Sequence, residues 1–124
     1  AFMQHGVLHR EMERFFGEFD VLICPGATVT PFPFTDHYPR VVDGVEQPTY
    51  VAWAGLTNAL STCGNPVVAL PCGVDEEGMP FGFQVVGPRR SDAFLLRVGK
   101  ALETLFAGDP EMARPISDLA RPAA

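Results

Sequence analysis

The chain has 124 residues, 47% hydrophobic and 19% charged, a balance that belongs to a folded globular domain and excludes an intrinsically disordered one. Nine basic residues stand against 15 acidic ones, for a formal net charge of −6, and no Lys/Arg block occurs, which argues against nucleic acid and anionic membranes as partners. The longest apolar runs, 21–24 and 67–70, are strand-sized and far short of the roughly 20 residues a membrane helix needs, so a soluble protein is expected.

Leu8, Met12, Phe15 and Phe16 recur at helical spacing, with Arg10, Glu11, Glu13 and Arg14 on the other face and Gly17 as a C-cap, which predicts an amphipathic helix near 2–17. The pattern begins at once, without a cap or an initiator Met, and 1–6 has no basic region followed by an apolar stretch. The expectation is a cytoplasmic polypeptide whose earlier part is missing from this chain. Val21-Leu22-Ile23-Cys24-Pro25 is an uninterrupted apolar run that predicts a strand near 20–25, buried on both faces and central in its sheet, as parallel strands are. Pro25, Pro31, Pro33, Pro39 and Pro48 then mark about two dozen residues of loop, far longer than a usual connection of ~4–6 residues and therefore functional or disordered.

A second helix is expected near 49–63, capped by Thr49, with Ala52, Leu56, Ala59, Leu60 and Cys63 on its apolar stripe and a stop at Gly64-Asn65-Pro66. Strands near 67–72 and 81–87 flank the turn Asp75-Glu76-Glu77-Gly78 and read as an antiparallel hairpin. A third helix near 91–107 is expected to be capped by Ser91, with Phe94, Leu95, Val98, Ala101, Leu102, Leu105 and Phe106 on one face. Residues 1–108 thus form one α/β unit of mixed sheet covered by helices, and 109–124, with Pro110, Pro115 and Pro122, an irregular tail. Three strands cannot cover a doubly buried first strand, so its neighbours are expected from an upstream region or a second chain.

The catalytic inventory is thin. His5, His9 and Glu13 sit one helical turn apart and could hold a metal if another ligand arrived, but the HExxH arrangement is absent and a solvated face is the better reading. Cys72 lies just past a strand end, where nucleophiles often sit, yet no His or helix N-terminus is evident to activate it, so it reads as a buried thiol. Cys24, Cys63 and Cys72 form an odd set without CxxC spacing, which favours reduced thiols over disulfides or zinc. Lys100, the one lysine, falls opposite the apolar stripe of its helix and reads as a solvated charge. No cofactor is implied.

Two stretches carry a resemblance. Phe19 to Pro25, and Thr57 through Gly64-Asn65-Pro66, Val67 to Gly73 and Gly78-Met79-Pro80-Phe81-Gly82-Phe83-Gln84-Val85-Val86-Gly87, resemble the C-terminal portion of amidase-signature enzymes, a family that includes the A-type subunit of glutamyl-tRNA amidotransferase. Leu95-Leu96 and Leu102-Glu103 match the family's closing helix. The resemblance implies a large α/β domain and hydrolysis of a carboxylic amide to acid and ammonia or amine. The chemistry it implies is a serine, a second serine in a cis peptide and a lysine, with an oxyanion hole in a Gly/Ser-rich loop. That set lies upstream of the region matched here; Ser61, Ser91 and Ser117 are isolated and Lys100 is in the wrong part of the pattern. No catalytic residue is therefore assigned, and the chain alone is expected to be inactive.

In the family the C-terminal part forms one wall of the substrate pocket. The residues implied here are Thr28, Thr30, Phe32 and Phe34 of the loop, with Tyr50, Trp53 and Thr57 near the second helix, although packing of the loop is an equal reading. Glutamine-using amidotransferase subunits carry an acidic residue three positions before the Thr matched by Thr57. That position is Ala54, which favours a small apolar or aromatic amide over a tRNA-linked reaction. The expected partners are such an amide, the N-terminal remainder of the enzyme and a second copy bound through exposed apolar surface. A free-standing noncatalytic binding module and a hydrolase built on Cys72 are the competing readings.

Overall fold

The structure, a computed structural model, describes residues 2–116, and within 2–4 only the backbone. In chain order the elements are α1 (Phe2–Phe15), β1 (Leu22–Pro25), β2 (Val41–Val42), β3 (Val45–Glu46), α2 (Gly55–Thr62), β4 (Val67–Val74), β5 (Pro80–Val86) and α3 (Asp92–Phe106). Among the described residues two sheets form, one of order β1-β5-β4 and one pairing β2 with β3, and every ladder is antiparallel.

The expected place of the first strand is corrected. The central strand is β5, which opposes Leu22 with Val86 on one side and Val67 with Val86 on the other, while β1 lies at an edge of the described sheet. Burial follows position: Gln84, Val85 and Val86 are buried, whereas β1 alternates between half-buried and exposed, with Ile23 54% exposed. The apolar run of β1 suggests burial on both faces, but at the edge of the described sheet it is covered more on one face than the other, and its burial alternates with period two.

Along β5 the side chains of Phe83 and Val85 share one face with Val68 and Leu70 of β4, by strand alternation and register. Helix α3 packs on that face. Gly99 lets it approach so closely that an added Cβ would stand 3.3 Å from Val68 Cγ1, and Phe106 meets Phe83 edge to face at 5.4 Å between ring centroids. Leu95 is buried, and Phe94, Val98, Leu102 and Phe106 are half-buried. Ala101 and Leu105 are exposed, so the apolar face expected of this helix is narrower than its sequence suggests. Helix α1 behaves as its pattern predicts: Leu8, Met12, Phe15 and Phe16 are half-buried, and Arg10, Glu11, Glu13 and Arg14 exposed.

One helix start and one capping bond differ from expectation. Residues 50–54 form turns and α2 begins at Gly55, because the carbonyls of Val51 and Trp53 accept side-chain bonds from Asn58 Nδ2 and Thr28 Oγ1. Thr49 is therefore no N-cap; Ala54 holds that position without a side-chain bond. At α3 Ser91 does hold the N-cap position, but its hydroxyl donates backwards to the Pro88 carbonyl at 2.7 Å and leaves the first-turn amides uncapped. The long proline-marked loop is also not wholly irregular, since β2 and β3 form a small hairpin across Asp43 and Gly44, both at positive φ.

The β4–β5 turn forms as expected. Asp75 Oδ1 accepts from the amides of Glu77 (3.0 Å) and Met79 (2.8 Å), and Gly78 sits at φ +78°, where a side chain would be strained. Asp75→Ala is expected to destabilise the hairpin by about 1 kcal/mol, since two exposed bonds are replaced by water. An unchanged urea midpoint would overturn this account. Residues 109–116 are irregular, and the remainder of the expected tail, 117–124, lies outside the described residues.

Candidate functional site

At the end of β1 the chain is set flush on the central strand. Gly26 N donates to the Gly82 carbonyl at 2.9 Å, and a Cβ on Gly26 would lie only 3.1 Å from that oxygen, so a side chain here would lift the loop off β5. One residue earlier, buried Gln84 donates through Nε2 to the Pro25 carbonyl at 3.1 Å. A long polar side chain in the central strand thus fixes the point where the loop leaves the sheet.

The loop is then tied to the start of α2. Thr28 Oγ1 donates to the Trp53 carbonyl, Thr57 Oγ1 reaches the Gly26 carbonyl at 3.5 Å, and Phe32 stands edge-on to Trp53 at 5.8 Å between centroids. Between this loop and the sheet lies an open groove of about 910 Å³, bounded by residues 25–32, Trp53, residues 69–71 of β4, Asp75 and residues 80–83 of β5. Strand alternation turns the small side chain of Ala69, the ring of Pro71 and the bare Gly82 toward one face, so this part of the sheet has a flat floor.

Three of the groove's polar groups are committed within the protein. The Thr28 hydroxyl is bonded to Trp53, Asp75 Oδ1 closes its own turn, and the Gly26 amide extends the β1–β5 ladder. What remains is mostly apolar: Val29, Pro31, Phe32 and Trp53 beside the Ala69, Pro71 and Gly82 floor. Such a surface suits the uncharged part of a ligand rather than a charged one.

Of the residues that the sequence points to, Thr28, Thr30, Phe32 and Trp53 line this groove together. Thr57 stands behind it, holding the loop through Gly26. Phe34 is 99% exposed and outside the lining, and Tyr50 packs edge-on against Tyr38, 6.3 Å between centroids. The β-sheet side of the groove, Pro71, Phe81 and Gly82 above all, is not among the residues expected from sequence. Its signal is the P-x-G-x-Q run of 80–84, whose glycine permits close strand approach and whose glutamine anchors the loop.

No nucleophile with its base is assembled among the described residues. Burial pushes the thiols of Cys24 and Cys63 up from their ordinary value, a weak contact with Gln84 only partly offsetting it at Cys24, so both stay protonated near neutrality. Cys72 is buried beside Gly73, and Lys100 forms an exposed ion pair with Glu103 at 3.0 Å. His9 is engaged by Arg89 and stacks on His5, and among the described residues no three His, Cys, Asp or Glu side chains converge as a metal site. Among them, too, no helix is long and apolar enough to cross a membrane.

The described residues thus form an α/β unit with an open groove beside an antiparallel sheet. The Amidase family profile matches residues 1–96. The A-type subunit of glutamyl-tRNA(Gln) amidotransferase from Renibacterium salmoninarum is 36% identical over 92% of this chain, and its counterpart from Streptomyces avermitilis 30% identical over 81%. These alignments span 21% and 19% of the relatives, so the chain covers about a fifth of their length. A crystal structure of an amidase superposes with a TM-score of 0.72 at 28% identity, covering 84% of this chain and 24% of that one. A component of a vestigial complex tied to the origin of an s-triazine catabolic enzyme superposes with a TM-score of 0.74 at 28% identity, covering 93% and 24%. The chain belongs to the amidase family.

Proposed function

We propose that this chain is the C-terminal portion of a cytoplasmic amide hydrolase, and that it supplies sheet and one wall of the substrate groove. The serine, cis-serine and lysine that cleave the amide are carried by residues outside these 124. The observation that carries this reading is the groove itself, whose Thr28 hydroxyl and Asp75 Oδ1 are bonded internally and whose remaining walls are mostly apolar, with Phe32 and Trp53 among them. It suits the apolar or aromatic substituent of a linear amide, held while another segment attacks the carbonyl. Ala54, at the N-cap of α2, offers no charge to a free amino-acid ammonium group, which favours a small-amide hydrolase over a glutamine-using amidotransferase. The likeness to one fifth of a relative's length supports placing the chemistry elsewhere in the enzyme.

The test compares the 124-residue chain with the longer polypeptide that contains it, on indoleacetamide and benzamide. The longer protein is expected to release ammonia and the 124 residues alone to release none. In the longer protein Trp53→Ala is expected to raise KM about tenfold for these aromatic amides with little change in kcat, the loss of ~1.4 kcal/mol of uniform binding. Turnover by the 124 residues alone, abolished by Cys72→Ala, would replace this reading with a cysteine hydrolase.

A further inference from the structure

Beside the groove, β4 carries an irregularity. Pro71 pairs with Gly82 and Val74 with Pro80, so Cys72 and Gly73 together oppose the single residue Phe81. Such a bulge breaks the ladder and leaves its extra residue without a partner on β5. Cys72 and Gly73 are nevertheless buried, and Pro71 and Asp75, which flank them, both line the groove. The cover over Gly73 comes from the chain beyond α3. Asp109 N donates to the Phe106 carbonyl at 3.0 Å, and Asp109 then closes a further turn. Its Oδ1 accepts from Glu111 N at 2.9 Å and its carbonyl from Met112 N at 3.2 Å. The Glu111–Met112 peptide is thereby laid over Gly73. A β-carbon on Gly73 would stand 3.2 Å from the Glu111 carbonyl carbon and 3.6 Å from Met112 Cα, with the carbonyl oxygen closer still. Every one of these atoms is backbone, so no rotamer relieves the collision, and Gly73 is also at φ +77°.

Past this contact Met112, Ala113 and Pro115 are half-buried while Glu111, Arg114 and Ile116 are exposed, which gives the segment an inner and an outer side. It lies beyond the residues 1–96 that the family profile matches, so the likeness assigns it no role. We propose that residues 109–116 are a strap seated on the β4 bulge, holding it where the ladder to β5 is broken and so positioning Pro71 and Asp75 at the groove. Glycine is needed at 73 twice over, for its φ and for the peptide that lies on it. When the two collide, the strap is the part that yields. The bulge is anchored on either side by the pairs Leu70–Phe83 and Val74–Pro80, whereas the strap depends on the turn at Asp109.

The test is amide hydrogen exchange in the full chain, compared across three variants. Gly73→Ala adds both a strained φ and the collision with the strap. Gly78→Ala, at φ +78° with nothing within 4 Å of its β-carbon, adds the strain alone, in the same hairpin. Asp109→Ala removes the turn carboxylate and leaves β4 unaltered. Gly73→Ala should speed exchange at residues 111–113 about tenfold, and Gly78→Ala should leave them unchanged. Asp109→Ala should speed the same amides about fivefold to tenfold, the worth of one hydrogen bond, and those of 72–74 along with them. Exchange at 111–113 no faster in Gly73→Ala than in Gly78→Ala would overturn the proposal. So would residues 72–74 unmoved in Asp109→Ala, since the strap would then have no hold on the bulge. Asp109 is exposed, so its variant decides even if Gly73→Ala fails to fold.

Discussion

Gly82→Val is expected to lower stability by about 3 kcal/mol, the upper end of the 1–3 kcal/mol that overpacking costs. A Cβ at this position would stand 2.6 Å from the Leu70 carbonyl oxygen and 3.4 Å from Pro71 Cα. Both obstacles are backbone atoms of the paired strand, so no side-chain rotation relieves them, and β4 must separate from β5. The Gly26 amide bond to the Gly82 carbonyl is strained with it, and the side chain stands where the groove floor is now bare. Urea denaturation should give a lower midpoint for Gly82→Ala and a still lower one for Gly82→Val. Under the proposed function, the folded fraction of the alanine variant in the longer polypeptide should show a raised KM for aromatic amides. A valine variant as stable as the parent would mean that β4 and β5 are not this close.

Gln84→Ala is expected to cost about 2–4 kcal/mol. Part is the void left by a buried side chain in the central strand, and part is the Pro25 carbonyl left without its donor. Gln84→Leu separates the two, because leucine refills much of the volume while leaving the carbonyl unpaired; it should recover roughly half of the loss. The functional consequence follows from position, since Pro25 is the hinge at which the groove loop leaves the sheet. Both variants should show faster amide exchange in residues 26–32 than in β4 or α3. Uniform exchange changes across the chain would instead make Gln84 a general core residue with no specific hold on the loop.

The elements are legible in sequence where local chemistry decides them. The Asp75 to Gly78 turn, the hairpin around it, the stripe of α1 and the run of α3 follow from side-chain period, a turn carboxylate and a glycine at positive φ. The start of α2 is not legible, because the carbonyls that would have extended it are taken by Thr28 and Asn58, and Thr28 is 25 residues away. The small hairpin of 41–46 is hidden among prolines. Period alone overstates the burial of Leu105 for a similar reason: it places the residue on the apolar side of α3, but only a narrow strip of that helix meets the sheet.

By itself the sequence determined the strand–turn–strand–helix order of 67–106, the family likeness it carries and the aromatic character of the loop and of Trp53, all of which depend on neighbours within a few turns of chain. Only the tertiary structure decided that β1 pairs antiparallel at the edge of the described sheet, that Gln84 holds the loop and that Gly82 makes the groove floor. It also set His9 against Arg89 rather than on a free helix face. The physical reason is range. Periodicity and capping record what each segment does with its own backbone, while strand order, close approach and side-chain anchors are set by residues up to 80 positions apart.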